Sequence, residues 1–192
     1  MAKSGQQPRC DWSISDPLLQ EYHDNEWGVP THEDGKLFEF LTLEGAQAGL
    51  NWLTILRKRD GYRKAFDYFD LAKISSYKQK KVSELLLDSG IIRHKLKILS
   101  TIQNAKSVLP IIDEFGSLDR YLWGFVKDGK PIKNKWKLMA QVPATSRESD
   151  ALSKDLKKRG FRFVGSTICY AFMQATGMVN DHKVTCFRYA QV

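Results

Sequence analysis

The chain has 192 residues, 42% of them apolar, with 30 lysines and arginines against 22 acidic residues and a formal charge of +8. That length and apolar content suit one substantial domain or two small lobes sharing a core, and they exclude a disordered chain or a disulfide-stapled mini-protein. The positive balance favours a polyanion such as nucleic acid, and it equally describes a basic protein with a well-solvated surface.

The opening MAKSGQQPRC has no apolar run of signal-peptide length and no later stretch approaches a membrane span. A cytoplasmic protein without membrane contact is therefore expected, with residues 1–8 flexible. DPLLQEYHDNEW begins with an Asp-Pro helix start, and EDGKLFEFLTLEGAQAG, NWLTILRKRDGYRKAF and QKKVSELLLDS each repeat their apolar residues at helical rather than alternating spacing. β-Branched runs bounded by turn signals are nearly absent, so the pattern predicts an all-α fold with little or no sheet. Residues 125–143, FVKDGKPIKNKWKLMAQVP, read as a loop or crossover. Cys169, inside STICYAFMQAT, reads as a small core residue.

The second of these helices carries an anomaly. Its apolar stripe Leu37, Phe40, Leu41 continues through Glu44 and Ala48. A carboxylate in a core-facing slot must be paired, protonated or reserved for a ligand, because an unpaired buried charge is strongly unfavourable.

Two later segments share one layout. In VSELLLDSGIIRHKLKILSTIQNAKSVL a helix stops at Gly90 and another begins soon after; in SDALSKDLKKRGFRFVGSTICYAFMQAT the first helix ends on Lys157, Lys158 and Arg159, followed by Gly160 as a C-terminal cap. The turn GFRFVG leads into a helix that Ser166 or Thr167 is placed to cap. Outward-pointing amides beside a glycine suit a phosphate, and the same segment also fits an ordinary helix-turn-helix corner.

Cys10-x12-His23 near one end and His182-x3-Cys186 near the other make a Cys2His2 set. Such a set suits tetrahedral zinc, which would be structural because four protein ligands leave no open position; the alternative is four unligated polar residues. His32 and His94 have no cysteine nearby and read as surface or hairpin residues. Trp12, Tyr22, Trp27 and Trp52 sit in polar stretches, either as core aromatics or as the walls of a pocket. Joined to Glu44, they would suit a flat, nitrogen-rich, cationic heterocycle.

RCDW, DPLLQEYHDNEWGVP, LEGAQAGLNWLTILRKR, GIIRHKLKI and SDALSKDLKKRGFRFVGSTICYAFMQATGMVNDH, in that order and over nearly the whole chain, resemble the bacterial 3-methyladenine DNA glycosylase I family. The resemblance implies a helix-hairpin-helix glycosylase fold, one domain over residues 1–192 with its hairpin at about 149–177 and two helical lobes around a base pocket. It implies a monofunctional enzyme that flips N3-methyladenine out of double-stranded alkylated DNA and releases it as free base, in base-excision repair. By the same resemblance Cys10, His23, His182 and Cys186 hold a structural zinc, Glu44 bonds the base, Trp52 stacks on it, and Tyr22, Trp12 and Trp27 complete the pocket. Leu50 wedges into the duplex beside Gln47 and Gly49, while Gly160, Phe161, Gly165 and Ser166 of the hairpin meet the DNA backbone. Leu19 departs from the family pattern, standing where many members have a tyrosine near the pocket. Asp181 is either a catalytic carboxylate or a residue orienting the metal-bound His182, the latter reading being favoured. A non-catalytic DNA-binding module and a zinc-stapled scaffold are the competing classes. With no heptad or long apolar edge, a monomer is expected.

Overall fold

The computed structural model describes residues 7–192. The expected flexibility of residues 1–8 lies almost wholly outside the described residues; at their edge the Pro8 carbonyl already accepts from the Phe187 amide at 2.9 Å. The chain runs α1 (Pro17–Asn25), α2 (Asp34–Gln47), α3 (Trp52–Leu56), α4 (Arg59–Ala65), α5 (Leu71–Ser75), α6 (Gln79–Leu87), α7 (Lys95–Phe115), α8 (Leu118–Trp123), β1 (Ile132–Lys133), α9 (Arg147–Lys158), α10 (Ser166–Ala175) and β2 (Val179–Asn180). The helical expectation holds, and among the described residues no helix is long and apolar enough to cross a membrane.

Helix α2 is the centre. Every residue from Leu37 to Ala46 is buried, so the helix is enclosed all round rather than amphipathic. It packs against α10 on one side and against α3, α7 and α8 on others. Enclosure leaves two carboxylates in the interior. Glu39 is neutralised by Arg59 and Arg63, and Arg59 reaches Glu26 as well at 2.8 Å. Glu44 has no such partner.

Two segments differ in secondary structure from the sequence expectation. NWLTILRKRDGYRKAF is not one helix but two, broken at Arg57–Lys58. The break leaves Ile55 and Leu56 in the core while Arg59 turns inward to its glutamates. Residues 125–143 do form a crossover, but Ile132 and Lys133 pair in parallel with Val179 and Asn180, the one small ladder among the described residues.

At the end of α9 the chain reverses through a Schellman motif. Gly160 takes φ +91°, the left-handed conformation that glycine adopts without penalty, and the Phe161 amide donates to Leu156 O at 3.0 Å. The hydrophobic residue of that motif is Phe161 itself, only 2% exposed. The Phe161 side chain therefore packs inward, which leaves only its backbone for the DNA contact that the family resemblance implies.

Candidate active site

Trp12 and Trp27 flank α1, Tyr22 lies within it, Glu44 and Gln47 come from the last turns of α2, Trp52 opens α3, and Ala171 and Gln174 come from α10; together with Met139 of the crossover they line a cavity of about 300 Å³. That is the lower end of the size range of small-molecule sites, as befits a single heterocycle. Tyr22 and Trp52 rings lie 5.3 Å apart, Trp12 and Trp27 5.1 Å apart. Met139, Ala171 and Gln174 were not foreseen, because nothing in a crossover loop or a core-like helix marks one residue as pocket-facing.

Three polar groups of this cavity, on Glu44, Tyr22 and Trp52, have no side-chain partner among the described residues. Glu44 is 5% exposed, with no hydrogen-bond or ion-pair partner among the described residues, and burial alone pushes its carboxyl up to about 8. Burial, followed by the proximity of Glu44, pushes the Tyr22 phenol well above its usual range. The Trp52 Nε1–H is buried and donates to nothing. A buried donor without an acceptor is unfavourable, and its convergence with an unpaired carboxylate and a phenol on one cavity points to a site whose partner is a ligand. A larger hollow of about 650 Å³ between α8 and α9, lined by Phe115, Tyr121 and Arg159 among others, has no comparable feature: Arg159 is engaged by Glu114 and Asp155. Leu19 belongs to the core and is not among the residues that line the cavity.

A groove of about 220 Å³ opens from the cavity, sharing Glu44, Gln47 and Ala171 and adding Gly49, Leu50, Thr167 and Ile168. On one side the chain leaves α2 through Gly49 at φ +77°, which turns the 41%-exposed Leu50 outward. Lys97 of α7 fastens this turn, its ammonium donating to Ala46 O at 2.8 Å and Ala48 O at 2.7 Å, the free carbonyls at the end of α2. On the other side stands the first turn of α10. Gly165, not Ser166 or Thr167, is the N-cap and no side chain caps the helix; Ser166 Oγ instead joins Ser149 Oγ at 2.9 Å and Asp150. The leading amides of α10 have no protein acceptor among the described residues, and Gly165 faces open space. His94, expected to be incidental, caps α7 by accepting from the Lys97 amide at 3.4 Å, and His32 is an exposed residue bonded to Asp119.

The fourfold cysteine and histidine set assembles as expected. Cys10, His23, His182 and Cys186 are all buried, with ligand atoms within 4.8 Å of one another. Cys186 Sγ lies 3.4 Å from His23 Nε2 and 3.6 Å from His182 Nδ1, and Cys10 Sγ lies 3.7 Å from His182 Nδ1. A tetrahedron with metal–sulfur bonds of about 2.3 Å and metal–nitrogen bonds of about 2.0 Å has edges of about 3.3–3.8 Å, which these three separations match, and the donor set is one that suits zinc. The opposite ring nitrogens are committed: His182 Nε2 donates to Trp27 O at 3.0 Å, and His23 Nδ1 to Asp24 Oδ1 at 2.8 Å, with Arg9 behind that carboxylate. This fixes each free nitrogen toward the cluster, the outer-shell pattern of metal-binding histidines. Hydrogen bonding with Cys10 holds the Cys186 thiol far below its ordinary range and Cys10 above it, and the two imidazoles assist the former.

The structure places Asp181 in a hydrogen-bond network apart from the imidazole of His182. Fully buried, it accepts from Asn134 at 2.7 Å, Trp136 at 2.6 Å, Tyr170 at 2.7 Å and Gln174 at 2.8 Å, and the carbonyl of Trp27 takes the place of orienting group for His182.

Comparison with known proteins agrees with this geometry. Residues 12–189 match the family model described as methyladenine glycosylase. DNA-3-methyladenine glycosylase 1 of Escherichia coli is 48% identical over 181 residues, covering 94% of this chain and 96% of that one. A crystal structure of 3-methyladenine DNA glycosylase I superposes with a TM-score of 0.91 at 49% identity over 94% of this chain and 98% of the other. The Staphylococcus aureus enzyme, solved to define 3-methyladenine recognition, gives 0.91 at 32% identity over 95% and 97%. The chain belongs to the methyladenine glycosylase family, enzymes that hydrolyse N-glycosyl bonds.

Proposed function

We propose that this protein excises N3-methyladenine from double-stranded DNA by extruding the damaged nucleotide into the Glu44 cavity and hydrolysing its glycosidic bond, as one cytoplasmic copy that uses the whole chain as a single helix-hairpin-helix unit. The observation that carries the reading is a buried carboxylate without a protein partner, in a cavity walled by four aromatic rings.

Extrusion of a base from a duplex is unfavourable by a few kcal/mol, and stacking on an aromatic side chain returns roughly 1–3 kcal/mol. Stacking holds normal adenine nearly as well, so it gives little selectivity. Methylation at N3 makes the base cationic, and a carboxylate about 4 Å away gains on the order of 4 kcal/mol at an effective dielectric near 20, before desolvation. The same charge weakens the glycosidic bond because the base departs neutral. Glu44 then recognises the cation and transfers no proton to the leaving base; water attacks the sugar carbon as the bond breaks. Leu50 occupies the gap in the stack, and the uncapped amides of α10 with Gly165 and the backbone at Gly160 receive a phosphate. Cys10, His23, His182 and Cys186 would hold a zinc ion that supplies structure alone, since four protein ligands leave no position for water or substrate.

The test is incubation with methylated duplex DNA and chromatography of the released bases. Release of 3-methyladenine with 7-methylguanine retained is expected; a folded, zinc-loaded protein that binds this DNA and releases nothing would favour a non-catalytic module. Lys97 offers a second test. Lys97→Met frees the turn that carries Leu50, and we expect kcat/KM on duplex DNA to fall about tenfold while the affinity for free 3-methyladenine is unchanged. Equal loss in both assays would place Lys97 in general stability instead.

A further inference from the structure

Glu44 selects for positive charge, but every N3-methylated purine in DNA carries that charge. Distinguishing adenine, with an amine at C6, from purines with a carbonyl there calls for acceptors fixed against that edge of the base. We propose that Gln174 is this specificity-determining residue, its side-chain oxygen accepting a hydrogen bond from the exocyclic amine of the extruded base; the inference rests on the reading of the Glu44 cavity as the base site.

Gln174 lines the cavity, and its amide has only one permissible orientation. Its Nε2 donates to Asp181 Oδ2 at 2.8 Å, and Asp181 is an acceptor already ringed by Asn134, Trp136 and Tyr170. Reversing the amide would set Gln174 Oε1 against that carboxylate, two acceptors face to face. Asp181 therefore locks Gln174 with its oxygen as the remaining polar atom, and that oxygen receives no donor among the described residues. The cavity thus presents acceptors from two walls, Glu44 of α2 and Gln174 of α10, and an exocyclic amine has two N–H groups to give. A carbonyl in its place would meet an acceptor that cannot rotate away. A site built to bond one polar group rejects an analogue lacking it far more strongly than a packing wall does. The function of the buried Asp181 network follows: it is a positioning device for Gln174.

The experiment is titration of wild type, Gln174→Leu and Gln174→Met with free 3-methyladenine and with free 3-methylhypoxanthine, followed by quenching of tryptophan fluorescence, with melting temperatures as the check on folding. Wild type is expected to bind the amino base more tightly; both variants should lose about three- to tenfold for the amino base and nothing for the oxo base. Equal weakening of both bases, or no weakening of either, in variants that melt like wild type overturns the inference while leaving the base site standing. Wild type that binds neither base overturns the base-site reading and this inference together.

Discussion

Replacement of Glu44 by glutamine lowers excision of 3-methyladenine about 10–100-fold and, at the same time, raises the melting temperature of the free protein at pH 8. The two effects have one cause. The carboxylate is 5% exposed and unpaired, and burial raises it from 4.5 to about 8. Its folded form binds a proton more tightly than its unfolded form, so the penalty is absent below about pH 4.5 and grows as pH rises until about 8. Glutamine carries no charge to desolvate and removes that penalty, a gain of at least about 3 °C at pH 8 that shrinks toward zero at pH 4.5. Activity falls because the attraction to a cationic base goes with the charge. A residue that merely supports the fold would respond oppositely: glutamine would lower the melting temperature and excision together. Kinetics and melting curves of the two proteins at both pH values decide between them.

Substitution of a cluster cysteine is expected to act mainly on stability. Cys186→Ser should reduce bound zinc from one ion per chain to well below one and lower the melting temperature by about 5–15 °C, since metal-binding energy in such sites is folding energy. The pocket would suffer with it. Trp27 packs edge-on against His182 at 4.6 Å and accepts from its ring, while Trp12 packs against His23 at 5.4 Å, so two walls of the cavity rest on the cluster. Atomic absorption and calorimetry check this; metal-free protein with an unchanged melting temperature and unchanged base release would remove zinc from the account.

Much of this was legible in the residues, and the failures have a common origin. Glu44 announced itself by interrupting an apolar stripe, and the helical periods located most elements. Glu39 did not stand out, because its neutralising arginines lie 20 and 24 residues away and only folding brings them in. The four cluster residues were recognisable by type although Cys10 and His182 stand 172 residues apart, but their orienting partners include a main-chain carbonyl, Trp27 O, to which side-chain chemistry gives no clue. Lys97 reaches carbonyls 49 and 51 residues distant for the same reason. The resemblance placed Phe161 at the DNA with the rest of the hairpin, whereas the Schellman geometry drives its side chain into the core. Asp181 misled by adjacency to His182, when its partners come from the crossover and α10.

The account turns on the ionisation state in which Glu44 works, and the pH dependence of kcat/KM on methylated duplex DNA between pH 6 and 9 reads it directly, since that parameter follows the free enzyme. Recognition by the carboxylate predicts a rise through the region of about 8 where Glu44 ionises and a plateau above it, with a flat profile in Glu44→Gln. A wild-type rate that instead falls as pH passes 8 would show Glu44 acting as a proton donor and would contradict the mechanism.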